Sequence, residues 1–79
     1  MSSKDAFTLH KSKRDRLNRT ARALVQAASV FGNVDYAAQW LNERNQALGG
    51  AIPRELLAAI EGEKLVRTEL AAIEHGLPA

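Results

Sequence analysis

A chain of 79 residues, 46% apolar and 25% charged, makes one small cytosol-compatible domain with a thin core, since at this size only about 60% of the unfolded surface is buried. Having no cysteine, it excludes disulfides, thiolate zinc sites and cysteine nucleophiles, and no apolar run is long enough for a spanning helix or a secretory signal. The net charge of +2 conceals an asymmetry: residues 1–22 hold seven cations against two acids, residues 23–79 four cations against seven acids. Such a basic segment on an acidic body points either to an anionic partner or to a solvated helix face.

Residues 1–11 mix Ser, Lys, Thr and His around isolated Phe7 and Leu9 without a period. They are expected to form a disordered basic arm ahead of a helical domain over residues 12–79. From Ser12 onward Leu17, Ala21, Leu24, Ala28 and Phe31 recur at steps of four and three, the apolar stripe of an amphipathic helix. Val25 widens this stripe, and Arg16, Arg19, Arg22 and Gln26 lie off it. Gly32 ends the helix, being free to adopt the left-handed conformation.

Asn33 is the expected N-cap of a second helix, with Asp35 in its first turn at the positive end of the dipole. Val34, Ala37, Ala38 and Leu41 make its inward face, and Tyr36 and Trp40, four apart, share one side. The short connection at Gly32 predicts an αα-hairpin. Trp40 is the expected largest buried side chain, locking the second helix onto Leu48. Residues 42–52 read as a loop broken by Gly49 and Gly50, with Ala47, Leu48 and Ile52 as its pins.

Pro53 suits the first position of a third helix, whose Leu56, Leu57 and Ile60 face inward. Gly62 marks a turn or a close helix approach. A fourth helix places Leu65, Val66, Leu70 and Ile73 inward and ends at Gly76, with Pro78 unable to continue it. No strand alternation appears. The fold class is all-α, a small bundle of about four helices.

Reactive groups are sparse. His10 and His75 have no second ligand at metal spacing, and Ser2, Ser3, Ser12 and Ser29 lie in no nucleophile-elbow pattern. Gly49-Gly50 lacks the Lys-Ser/Thr of a phosphate loop, and Glu61 and Glu63 fall on different helix faces, a poor acid/base arrangement. No catalytic residue, cofactor or metal is expected; the chain does not read as an enzyme. Two binding readings remain. Lys11, Lys13, Arg14, Arg16 and Arg19 are candidate nucleic-acid contacts, able to hold phosphates without reading bases, as a nucleic-acid binder or transcriptional autoregulator would require. The stripe of the first helix is a candidate homodimer seam.

Several motifs then run in order: Phe31-Gly32; Ala38-x-Trp40-Leu41; Ala47-Leu48-Gly49-Gly50-x-x-Pro53-x-x-Leu56-Leu57; and Gly62-x-x-x-Val66-x-x-x-Leu70-x-x-Ile73-x-x-Gly76. From Leu17 to Leu77 the chain resembles the toxin-binding domain shared by the Xre, MbcA and ParS antitoxins of bacterial type II toxin–antitoxin modules. The resemblance implies a cytoplasmic bacterial antitoxin that neutralises a NAD-consuming or ADP-ribosylating toxin of the RES, ParT or MbcT kind. It also implies that the segment Glu69 to Ala79 covers the toxin's active site, with Glu69, Ile73, Glu74, His75, Gly76 and Leu77 as toxin contacts. Obstruction of this sort needs shape and affinity rather than a reactive group. The fuller Xre pattern carries an N-terminal helix-turn-helix domain, for which the stretch before Leu17 is too short.

Overall fold

Four helices and one 3-10 turn follow one another in a computed structural model that describes residues 3–76, with side chains from residue 11 onward. Helix α1 spans Ser3–Phe31, α2 Val34–Asn42, the 3-10 turn Gln46–Leu48, α3 Pro53–Leu56 and α4 Ile60–Glu74. Among the described residues the only extended pairing is an isolated antiparallel bridge between Asn45 and Ala51. The all-α class is what the sequence pattern led us to expect.

Helix α1 begins at Ser3 rather than at Ser12. A missing apolar period removes the signal for burial, but Lys4, Ala6, Leu9 and Lys11 are all good helix formers. Its other end follows the sequence closely. Gly32 takes φ 67° and donates its N–H to the Ala28 carbonyl at 2.8 Å. Asn33 then caps α2, its Oδ1 accepting the Tyr36 N–H at 2.9 Å. This tight corner folds α2 back against α1, while α4 packs on another side of α1 and α3 bridges α2 and α4.

The core consists of Ala23 and Ala27 of α1, Ala37 and Leu41 of α2, Leu57 after α3, and Val66 and Leu70 of α4, none more than 3% exposed. Leu24, Ala28, Val30, Phe31, Trp40, Leu48 and Leu56 pack around them. Alanines at the centre let the helices approach closely, and the larger side chains close the sides.

This arrangement corrects the expected face of α1. Leu17 is 69% exposed and Val25 71%, and Ala21 is exposed too. Only Leu24, Ala28 and Phe31 of the stripe pack on the core. The pattern of large residues lay to one side of the line of closest approach, which runs through Ala23 and Ala27. Arg19, Arg22 and Gln26, placed off the stripe, turn instead toward α3 and α4, as described below.

Val34, Ile60 and Leu65 are likewise exposed rather than inward, and Ile73 is partly so. Trp40 is half-buried, and the largest fully buried side chains are Leu57, Leu70, Val66 and Pro53. Tyr36 and Trp40 both meet Phe31, with ring centroids at 4.9 Å and 5.9 Å. The aromatic group thus closes the α1–α2 corner from outside.

Gly62 lies within α4 and is buried. A Cβ there would fall on the Leu56 carbonyl, so the residue serves close approach and not a turn.

Candidate partner-binding surface

Helix α4 has three working sides. Val66 and Leu70 enter the core, and Glu63 and Arg67 face α1. Leu65, Glu69 and Ile73, at four-residue steps, form an outward ridge. Leu65 is 55% exposed and Ile73 38%.

Beside the ridge runs a groove of about 250 Å³, lined by Leu48, Leu65, Thr68, Glu69 and Ala72 among others. The loop before α3 builds its far wall. Asn45 donates its N–H to Ala51 at 2.9 Å and accepts from Gly50 at 2.8 Å, while its side chain caps the 3-10 turn through the Ala47 N–H at 2.9 Å. Gly49 and Gly50 take φ 70° and 81°, a pair of left-handed residues that glycine adopts without steric cost. Leu48 is thereby set partly into the core and partly beside Leu65.

The ridge leads to the end of α4. His75 is the C-cap, donating its N–H to Ala71 at 3.0 Å, and Gly76 donates to Ile73 at 3.1 Å with φ 66°. Glu74 and His75 are exposed neighbours, with Nε2 and Oε1 at 3.9 Å. This is the left-handed stop expected from the sequence.

Across α1 and α4 a polar clamp fixes the ridge in place. Arg22 donates to both oxygens of Glu63 at 2.8 Å and 3.0 Å, a bidentate pair, and Glu63 is only 13% exposed. Arg22 holds the Glu63 carboxyl below its ordinary range, against the opposing effect of burial, with smaller contributions from Arg67 and Arg19. The carboxylate in turn raises the Arg22 guanidinium. One turn further along, Gln26 donates to the Arg67 carbonyl at 3.2 Å and accepts from Arg67 Nε at 2.9 Å.

Of the expected toxin contacts, Glu69 and Ile73 share the ridge, and His75 and Gly76 stand at its end, exposed. Glu74 lies on a different side, in a groove with Ala21, Val25 and Ser29 of α1. Leu77 lies outside the described residues. Sequence reasoning missed Leu65, which it assigned to the core. The signal was present: with Val66 and Leu70 inward, Leu65 stands about 100° or more around the helix from both and cannot point the same way.

The expected nucleic-acid contacts separate as well. Lys11, Lys13, Arg14 and Arg16 are exposed on α1. Arg19 donates to the Leu57 and Ala58 carbonyls at 2.8 Å and 2.9 Å, supplying partners for groups that the end of a helix leaves unpaired.

No helix among the described residues is long and apolar enough to cross a membrane. A small helical body presenting a mixed apolar and acidic ridge has the form of a protein-docking module. Residues 26–76 match the Antitoxin Xre/MbcA/ParS C-terminal toxin-binding domain, a span that includes α2, α3, α4 and the end of α1. The chain belongs to this family of antitoxin toxin-binding domains, and a protein toxin is the partner that the family implies. No curated protein matches it.

Proposed function

We propose that the chain neutralises a NAD-consuming or ADP-ribosylating toxin, of the RES, ParT or MbcT kind, in the bacterial cytoplasm. In this reading the α4 ridge binds the toxin and the segment Glu69 to Ala79 covers its active site. The observation that supports it is the outward Leu65–Glu69–Ile73 ridge leading to the C-terminal end of α4. Apolar Leu65 and Ile73 supply desolvation on contact, and Glu69 between them suits a cleft that binds an anionic dinucleotide through cations. The inhibitor contributes occupancy alone and no catalytic group.

The test is a chain ending at Ile73, assayed for folding, binding and inhibition against the toxin encoded by the neighbouring reading frame. Retained folding and binding with toxin activity restored is the expected result. Full inhibition by the shortened chain contradicts active-site covering.

Exposed Leu17, Ala21 and Val25, at four-residue steps on α1, support self-association as a second feature. Sedimentation as a dimer at high micromolar concentration is expected, and a monomer there removes it.

A further inference from the structure

Apart from Arg44, which donates to the Gly50 carbonyl at 3.4 Å, and Lys64 of α4, the cations with described side chains divide into two groups. Arg19, Arg22 and Arg67 are engaged with carbonyl or carboxylate oxygens of the body or with Gln26. Lys11, Lys13, Arg14 and Arg16 have no hydrogen-bonded or ion-paired partner among the described residues, and over residues 11–18 only Asp15 opposes them. Arg54, from the first turn of α3, joins Lys13 and Arg16 in lining one open groove with Leu17 and Thr20. Cations from two separate helices therefore converge on one site.

We propose that this part of α1 docks in the major groove of duplex DNA, with Lys11, Lys13, Arg14, Arg16 and Arg54 contacting phosphates. At about 100° per residue the four helix cations fall on all sides of α1, not along one stripe. A membrane surface favours a helix with cations on one face and apolar residues on the other, which this segment lacks. A groove flanked by two phosphate strands matches cations pointing in several directions, and the B-form major groove, about 12 Å wide, admits one helix. The A-form groove of duplex RNA is too narrow. Contact is to the backbone, so binding is independent of sequence. The site shares no residue with the α4 ridge, so it does not rest on how the toxin is bound.

The test measures anisotropy of a labelled mixed-sequence DNA duplex with the full chain from about 50 to 200 mM salt. Five phosphate contacts predict a log–log salt slope of about −4 to −5. Replacing Lys11, Lys13, Arg14 and Arg16 together by Gln should bring the slope to about −1 and weaken binding at least about tenfold. Arg54→Gln alone, which leaves α1 untouched, should lower the slope by about one. Far-ultraviolet circular dichroism checks that both variants fold. A duplex RNA of the same sequence should bind several-fold more weakly, and anionic phosphatidylserine vesicles no better than the RNA. No DNA binding at the lowest salt, a slope unchanged in Arg54→Gln, equal binding to RNA, or preference for the vesicles overturns the proposal.

Discussion

Gly62 of α4 passes so close to Leu56 of α3 that a Cβ on the glycine would occupy the space of the Leu56 carbonyl. The obstacle is backbone, which cannot rotate aside as a side chain does. This contact sets the close approach of α3 and α4, and with it the position of Leu57 in the core.

Gly62→Ala therefore tests the packing. Its gain in helix propensity is about 1 kcal/mol, whereas an overpacked rigid contact costs about 3 kcal/mol or more. Urea unfolding should show a net loss of about 2 kcal/mol or more, a large fraction for a domain of this size. An unchanged midpoint would mean that the two elements sit further apart.

The Arg22–Glu63 pair makes stability depend on pH. The Glu63 carboxyl has a lowered pKa in the folded chain. Its contribution is fully present above the unfolded value of about 4.3 and is lost as pH falls through the lower folded value. Arg22, with its pKa raised, stays charged across that window. Glu63→Gln should flatten the acid limb of a stability–pH curve between about pH 2 and pH 5. Equal acid slopes in both proteins would show that the pair is not maintained in solution.

Trp40 and Leu57 should rank opposite to their sizes. Leu57 is fully buried, so Leu57→Ala should cost about 3–4 kcal/mol. Trp40 is half-buried and meets Phe31 at the edge of the core, so Trp40→Ala should cost about 2 kcal/mol. Chemical denaturation of the two variants decides the order.

The end of α1, the starts of α2 and α3 and the end of α4 were legible because they depend on local chemistry: Asn33 as a cap, Pro53 at a helix start, and Gly32 and Gly76 as left-handed stops. The break between α3 and α4 was not: the third helix was expected to run on to Ile60, but α3 stops at Leu56 and Ile60 opens α4. Rotation about the helix axes was not. Ala23 and Ala27 carry a weak hydrophobic signal, yet their small size places them where helices meet, so Leu17 and Val25 were misassigned to the core. The same ambiguity hid Leu65. Glu69 and Ile73 were named as contacts only through the family resemblance, the spacing having placed Ile73 inward, and Leu48 joins the groove of Leu65 and Glu69 only through a turn that brings distant residues together. The engagement of Arg19 with the end of α3 spans 38 residues and has no local signature.

The ridge of α4 as the toxin-binding surface is the central claim, and calorimetric titration of the cognate toxin with Leu65→Asp/Ile73→Asp tests it most directly. Both side chains are outside the core, so helicity and unfolding midpoint should stay near those of the parent chain. Toxin affinity should fall by at least about 100-fold, equivalent to about 2.7 kcal/mol. A folded double variant that binds the toxin as tightly as the parent would contradict the account.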